Sequence, residues 1–263
     1  IAPSIIAGNM SNLEKEVKRC IIGRADYIHL DVMDGQFVPN KTFDHTKIKE
    51  LRPLTLIPFD THLMINEPVK HVRNYIDAGS DIITVHAEVC DESSFGEICD
   101  MLHSSQVGIG LAINPDTELP QWCYKFVELL DQIIIMSVVP GKSGQKFIES
   151  THEKIQRIAK DLKEHKFGGY IEVDGGVNLE NIGACFEDGA RAFVGGSAII
   201  GQNDVRMIIK EFRNKVLESR RRLLIKKAHD LGGMEFVNKW IDLHVVGEKK
   251  DNLVQIAKEF GLS

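Results

Sequence analysis

Three short stretches of the sequence place histidine and carboxylate side chains inside apolar runs. They span residues 28–35, 60–64 and 171–176. Because the side chains of a strand alternate between its two faces, His29 and Asp31 point in the same direction. An imidazole beside a carboxylate in an apolar strand is costly unless the two are hydrogen-bonded or bind a metal ion. The first stretch alone leaves both interpretations open.

The three stretches together supply two imidazoles and two carboxylates. These belong to His29, Asp31, His62 and Asp174. The donor set suits Zn, Fe, Mn or Co better than Mg or Ca, since Mg and Ca prefer shells made only of oxygen. We therefore predict that the four residues bind one divalent metal ion, whose identity the donors leave open.

A metal ion between two carboxylates suits proton transfer next to a carbonyl group. Such an ion polarises the carbonyl and stabilises an enediolate, which acidifies the adjacent C–H bond. One carboxylate can then remove this proton, and a second on the opposite face can return one, which inverts the stereocentre. We predict these roles for Asp31 and Asp174, which come from distant strands. Met33, Met64 and Met136 would add an apolar wall that excludes solvent.

The elements that must position these side chains follow a regular alternation. Short apolar runs with strand character alternate with longer amphipathic segments. We predict strands at 1–7, 27–33, 57–64, 82–86, 107–113, 132–137, 170–173 and 192–194. Helical patterns between them include 13–22, 68–78, 119–130, 150–163, 179–188 and 205–217.

Eight strand–helix units in roughly 215 residues predict a single (β/α)8 TIM barrel. A doubly wound parallel sheet is the alternative α/β architecture. It usually has fewer strands, and the chain has no GxGxxG turn after its first predicted strand. In the barrel fold the active site lies at the carboxyl ends of the strands, which is where the four predicted ligands fall.

Glycine-rich loops follow the last three predicted strands. Barrels often bind phosphate between the loops after strands 7 and 8, where this chain has Gly175-Gly176 and Gly196-Ser197. The loop after strand 6, residues 139–147, is also glycine-rich and is either a lid over the site or a plain turn. Within it, Lys142 either adds a cation near a phosphate or is solvated.

Composition and charge exclude several classes of function. The chain of 263 residues has 43% hydrophobic and 27% charged residues and a net charge of -6, so we expect no nucleic-acid partner. No apolar run approaches the roughly 18 residues typical of a membrane helix, so we expect no membrane association. The five cysteines show no CxxC spacing and fit free thiols in a reducing, cytoplasmic environment. No signal peptide is visible, although residues before Ile1 could have carried a targeting segment.

The alternation ends near Ser219. We predict a catalytic barrel domain over residues 1–218 and a helical C-terminal extension over residues 219–263. The extension either packs on the barrel or forms an oligomer contact, and we expect a homo-oligomer. The arginines at 220–222 are interpreted as a solvated helix face rather than a nucleic-acid patch.

The chain resembles the ribulose-phosphate 3-epimerase family of the pentose phosphate pathway. The family's motifs occur in order from residue 1 to about residue 215. They are 1–5 (IAPSI), 29–35 (HLDVMDG), 37–40 (FVPN), 60–64 (DTHLM), 83–86 (ITVH), 114–115 (NP), 140–141 (PG), 144–147 (GQKF), 172–178 (EVDGGVN) and 196–199 (GSAI).

This resemblance implies a metal-dependent isomerase that interconverts D-ribulose 5-phosphate and D-xylulose 5-phosphate by inversion at C3. It implies the same four metal ligands and the same pair of acid/base carboxylates as the residues themselves. The sugar would contact Ser4 and His62. The phosphate would lie against Gly175, Gly176, Gly196, Ser197 and the lid residues Gly141, Lys142, Ser143 and Gly144.

The chain also departs from the family pattern in the lid. The family usually has an aromatic residue where this chain has Lys142, and an acidic or amide residue where it has Val139. A further departure replaces a usual histidine by Gln36, and the stretch after strand 1 also differs, at 6–9. None of these changes removes a predicted ligand or acid/base residue.

Three other functions remain as alternatives. An epimerase of another ketose phosphate, such as a hexulose 6-phosphate, would have the same metal site. A phosphate-binding barrel decarboxylase or aldolase would use an Asp-x-Lys-x-x-Asp arrangement, whereas residues 31–34 read Asp-Val-Met-Asp without a lysine. A non-catalytic sugar-phosphate-binding barrel is disfavoured because all four ligands are present.

Overall fold

The structure is a computed structural model that describes residues 1–230 of the chain. Eight parallel strands form one sheet with the neighbour order β1-β8-β7-β6-β5-β4-β3-β2. A parallel bridge between Ser4 and His29 links the two edge strands and closes the barrel. The strands are β1 (Ala2–Pro3), β2 (Ile28–Met33), β3 (Phe59–Met64), β4 (Ile82–His86), β5 (Gly108–Ile113), β6 (Gln132–Met136), β7 (Tyr170–Asp174) and β8 (Ala192–Gly195).

Seven α-helices accompany the strands in the described part of the chain. They are α1 (Leu13–Gly23), α2 (His45–Leu51), α3 (Val72–Asp77), α4 (Glu92–Ser104), α5 (Thr151–Glu164), α6 (Ile182–Asp188) and α7 (Val205–Asp230). Strand–helix alternation around a parallel, closed sheet is the predicted (β/α)8 barrel, and the fold class is confirmed.

The burial pattern explains why the strands read as nearly continuous apolar runs. Every residue of β2, β3, β4 and β6 is buried, because side chains fill the barrel on one face and pack under helices on the other. The helices instead bury one stripe. In α5 this stripe contains Ile155, Ile158 and Leu162 at helical spacing.

Two predicted elements differ from the observed ones. The strand expected at residues 1–7 ends at Pro3, and Ile5–Ala7 form a 3-10 helix. The turn leaves Ser4 at the barrel mouth, where it contacts Asp31. The local apolar run could not reveal this because a buried turn and a buried strand have the same composition.

The helix predicted at 119–130 is also wrong, since a single 3-10 helix spans Gln121–Lys125. Pro120 restricts the residue before it to extended backbone, so Leu119 is disfavoured as a helical residue. Trp122 and Phe126 instead pack on Phe95 of α4, with ring centroids 5.2 and 5.3 Å away. A short 3-10 helix with aromatic packing therefore takes the place of the predicted longer α-helix.

The domain division stays a prediction. One compact unit runs from Ile1 to Arg213 and contains all eight strands. The predicted boundary at residues 218 and 219 falls inside α7, and residues 231–263 of the predicted extension lie outside the described residues. Among the helices of residues 1–230, none is both long and apolar enough to cross a membrane.

Candidate active site

Three strands bring the four predicted ligands to one point. Strand β2 supplies His29 and Asp31, β3 supplies His62, and β7 ends in Asp174. The parallel register pairs Asp31 with His62, which sets their side chains next to each other. Both histidines are 0% exposed, and the two aspartates are 5% and 8% exposed. The predicted metal cluster is therefore assembled by the fold.

The donor atoms of the cluster face a common centre. His29 Nε2 lies 3.4 Å from Asp31 Oδ1 and 3.7 Å from Asp174 Oδ2. His62 Nδ1 lies 3.5 and 3.3 Å from the same two oxygens. All four atoms fall within 4.8 Å of one another.

Two observations indicate that this centre fits a divalent cation. His29 Nε2 and His62 Nδ1 are buried and have no hydrogen-bond partner among the described residues. A buried polar atom without a partner is costly unless something else satisfies it. Donors about 2.1 Å from one ion in a tetrahedral arrangement lie roughly 3.4 Å apart, which is close to the four His–Asp distances.

The His29 ring is oriented by a buried carboxylate. Its Nδ1 lies 2.6 Å from Asp60 Oδ2, and Asp60 Oδ1 accepts a 2.7 Å hydrogen bond from the Gln132 side chain. A carboxylate can only accept, so it fixes one ring proton on Nδ1, and in the neutral ring the Nε2 lone pair faces the centre. Asp60 was not singled out from the sequence, because its pairing depends on the register between β2 and β3.

The His62 ring is oriented by a second histidine. Its Nε2 lies 2.8 Å from His86 Nε2, and His86 Nδ1 lies 3.0 Å from Glu88 Oε2. Burial lowers the pKa of His86 to about 4, so this ring is neutral at pH 7. Burial raises the pKa of Glu88, but hydrogen bonds with His86, Thr117 and the Asn114 N–H together outweigh this effect, and the pKa falls to about 2.

A further acidic residue lies beneath the centre. Glu172 is fully buried, and it forms a second group of potential donors with His29 and Asp60. Burial and the neighbouring charge of Asp60 raise the pKa of Glu172 well above its usual range. Within this group His29 Nδ1 lies 2.6 Å from Asp60 Oδ2, so the two groups share the His29 ring.

The charges of the cluster shift one another's pKa values. Burial alone lowers the pKa of His29, but the carboxylates of Asp31 and Asp60 raise it well above the usual range. Asp174 and Asp31 likewise raise the pKa of His62 against the effect of burial. Burial raises the pKa of Asp31, but the imidazoles of His29 and His62 outweigh this effect and bring the pKa below its usual range. A cation at this centre therefore competes with protons on the two histidines.

A cavity of about 810 Å³ opens above the cluster. Asp31 and Asp174 line its floor, while His62, which was predicted to contact the sugar, is fully buried and does not line it. All the other predicted substrate-binding residues line the cavity: Ser4, Met33, Met64, Met136, Gly141, Lys142, Ser143, Gly144, Gly175, Gly176, Gly196 and Ser197.

The glycines after β7 have a specific backbone role. Gly175 and Gly176 have φ values of 114° and 64°, which side-chain-bearing residues rarely adopt. A Cβ on Gly176 would also lie 2.5 Å from the backbone nitrogen of Phe147. The absence of a side chain at Gly176 thus lets the loop after β6 approach the loop after β7.

The loop after β6 is tied to the loop after β2. The Asn40 side chain donates a 2.6 Å hydrogen bond to the carbonyl of Gly141. Within the loop, the Gln145 side chain donates to the carbonyls of Val139 and Lys142, at 2.6 and 3.0 Å. The Lys142 side chain itself is exposed at the cavity edge.

The fold and the site together define a (β/α)8-barrel enzyme whose buried centre suits a divalent metal ion. Residues 1–200 match the model of the Ribulose-phosphate 3 epimerase family, and the chain belongs to this family. It is 40% identical over 214 residues to a ribulose-phosphate 3-epimerase of Bacillus subtilis, covering 81% of this chain and 97% of the relative. It is also 40% identical over 210 residues to a chloroplastic ribulose-5-phosphate-3-epimerase of Arabidopsis thaliana, covering 80% and 74%.

Solved structures with low sequence identity share the fold. A 3-keto-L-gulonate-6-phosphate decarboxylase from Vibrio cholerae superposes with a TM-score of 0.60 at 15% identity, covering 83% of this chain and 97% of its own. A 3-hexulose-6-phosphate synthase superposes with a TM-score of 0.55 at 16% identity, covering 81% and 98%. At this identity the likeness supports the barrel architecture alone.

Proposed function

We propose that this protein is a metal-dependent isomerase that interconverts D-ribulose 5-phosphate and D-xylulose 5-phosphate by inversion at C3. The proposal depends chiefly on the buried cluster of two histidines and two aspartates. Of these four side chains, only the two aspartates line the cavity. Membership of the epimerase family and the names of the relatives supply the substrate.

The four clustered residues would hold one divalent ion, with Zn, Fe, Mn or Co suited to the donor set. When bound, such an ion supplies electrostatic stabilisation to the oxygens of an enediolate, which makes the C3 proton acidic. His29 and His62 would serve only as ligands, because both are completely buried behind the aspartates.

The two aspartates would act as the proton-transfer pair. Both line the cavity floor and come from strands β2 and β7. One would remove the C3 proton on one face of the sugar, and the other would deliver a proton to the opposite face. Ser4 would hold Asp31 in place, since its hydroxyl donates a hydrogen bond to Asp31 Oδ2.

The cavity walls would position and enclose the sugar phosphate. Met33, Met64 and Met136 contribute an apolar surface beside the carboxylates, which favours exclusion of water from the reacting carbon. The phosphate would lie at the other end, against the backbone of Gly175, Gly176 and Gly196, where little side-chain bulk blocks an approaching anion.

We also infer a cytoplasmic location and a homo-oligomeric state. The location is supported by the five cysteines, all of which are free thiols, as expected in a reducing compartment. Oligomerisation stays a prediction from the sequence. The expected partners are limited to a small sugar phosphate, without nucleic acid or membrane.

Proton NMR in D2O tests the reaction directly. Purified protein loaded with Co2+ is mixed with D-ribulose 5-phosphate, and we expect deuterium to enter at C3 as D-xylulose 5-phosphate accumulates. Removal of the metal by a chelator should stop both processes. Exchange seen only with a hexulose 6-phosphate would show that the substrate assignment is wrong. Exchange that persists after the metal is stripped would show that the metal-dependent mechanism is wrong.

A further inference from the structure

His62 differs from the other histidine ligand in the way its ring is oriented. Among residues 1–230 no carboxylate contacts its outer nitrogen, which instead lies 2.8 Å from His86 Nε2. The two imidazole planes are nearly parallel, at 20°, and Phe37 packs on the far ring with a centroid distance of 4.7 Å. Two ring nitrogens at this distance share one proton, so one ring must donate and the other accept.

The direction of this hydrogen bond is fixed at its outer end. Glu88 Oε2 lies 3.0 Å from His86 Nδ1, and Glu88 Oε1 accepts a 2.7 Å hydrogen bond from the backbone N–H of Asn114. An ionised carboxylate can only accept, so His86 must carry its proton on Nδ1. Its Nε2 is then the acceptor, and His62 must donate from Nε2.

We propose that His86 and Glu88 are positioning residues that select the tautomer of His62 whose Nδ1 lone pair faces the metal centre. The inference rests on the proposed function, since it assigns these two residues to the support of a metal ligand. His62 Nδ1 is buried and has no hydrogen-bond partner among the described residues, in keeping with the selected tautomer. Partners of this kind typically raise metal affinity by about 10- to 100-fold.

Glu88→Gln is the informative variant because the surroundings fix how the new amide sits. Its carbonyl must face the Asn114 N–H, where Glu88 Oε1 now accepts, so its NH2 group faces His86 Nδ1. His86 would then have to accept at Nδ1 and donate from Nε2. This reversal would place the His62 proton on Nδ1, where it opposes metal binding. Glu92→Gln is the matched control, since Glu92 is exposed and pairs with Lys125.

The affinity of the full-length protein for Co2+ is measured by competition with a chelator. We expect Glu88→Gln to weaken binding by about 10- to 100-fold and Glu92→Gln to change it by less than about twofold. His86→Phe keeps a ring against Phe37 but removes the acceptor, so it should also weaken binding. In the His86→Phe background, Glu88→Gln should have little further effect, because the carboxylate acts through His86.

Long-range 1H–15N correlation spectra of the metal-free, full-length protein at pH 8 read the His86 tautomer independently of activity. We expect the Nδ1–H form in the unmodified protein and the Nε2–H form in Glu88→Gln. An unchanged tautomer, or a full Glu88→Gln effect in the His86→Phe background, would overturn the inference. Failure of the proposed function is distinguishable, since the unmodified protein would then bind Co2+ but show no C3 exchange with D-ribulose 5-phosphate.

Discussion

The buried centre and the glycine-rich rim of the same cavity are built in opposite ways. The centre consists of side chains on β2, β3 and β7 that are at most 8% exposed. The rim, which we define as residues 139–147, 175–178 and 196–198, follows β6, β7 and β8 and offers mainly backbone and small side chains. In the centre, strand register positions charged side chains. In the rim, glycines leave room for the loops to approach one another and for a ligand to bind.

This difference assigns separate tasks to the two regions. In the centre, each histidine has an outer nitrogen paired with another side chain and an inner nitrogen facing the aspartates. Such an arrangement is preorganised for proton transfer and cation binding. In the rim, Gly176 and Phe147 approach so closely that only glycine fits. Changes to the centre should therefore affect the chemical step, whereas changes to the rim should affect substrate binding.

The largest expected effect comes from Asp174→Asn. The change removes a proton-transfer group and alters a predicted metal ligand, so kcat should fall by about 10³-fold or more. The measurement is the rate of D-xylulose 5-phosphate formation in protein saturated with Co2+. Asp100→Asn is the control, since Asp100 is an exposed residue of α4. Full activity of Asp174→Asn with metal replete would contradict the two-carboxylate mechanism.

Gly176→Ala should produce the largest effect in the rim. An added Cβ would lie 2.5 Å from Phe147 N and 2.8 Å from Phe147 Cα at a φ of 64°. The two loops must separate, and we expect kcat/KM to fall by about 10²-fold, mainly through KM. Gly144→Ala is the matched control because its φ is 78° but no atom of the described residues lies within 4 Å of the added Cβ. Equal losses in both variants would show that backbone strain, rather than loop approach, sets the effect.

Metal affinity should depend on pH through the centre. The pKa values of His29 and His62 are raised, so both rings hold protons that a cation must displace. Affinity should therefore rise with pH, by about tenfold per unit for each proton displaced, while pH lies below the raised pKa values. Calorimetric titration with Co2+ in buffers of different ionisation enthalpy counts the released protons. If the affinity for Co2+ did not change between pH 6 and pH 8, this expectation would be wrong.

The sequence predicted which four side chains come together, because they lie in short local motifs. His29 and Asp31 lie on one face of one strand, and His62 and Asp174 lie on strands that any (β/α)8 barrel brings to the same mouth. The Asp60 contact with His29 and the Glu88–His86–His62 chain were not predicted. They depend on strand register and on which ring nitrogen faces inward, and neither property is encoded in local spacing.

Element boundaries were less predictable than the fold. The strands β4 and β6 fall within one residue of their predicted ends, because both are buried apolar runs with clear breaks. The first strand and the segment at 119–130 were wrong, since a buried 3-10 turn has the same apolar composition as a strand or helix. Tertiary packing, such as Trp122 against Phe95, decides between these forms.

Lys142→Phe should have the smallest effect. It tests the comparison between centre and rim at the outermost part of the rim. The Lys142 side chain is exposed at the cavity edge, and its loop is held by the Asn40 contact with the Gly141 carbonyl, which the substitution leaves in place. An aromatic ring there should enclose the substrate at least as well, so kcat should stay within about threefold or rise. Steady-state kinetics with D-ribulose 5-phosphate, beside the exposed control Lys160→Phe on α5, measure this. A collapse of activity confined to Lys142→Phe would instead show that the lysine contacts the substrate directly. The rim would then bind the substrate through a charged side chain as well as through its backbone.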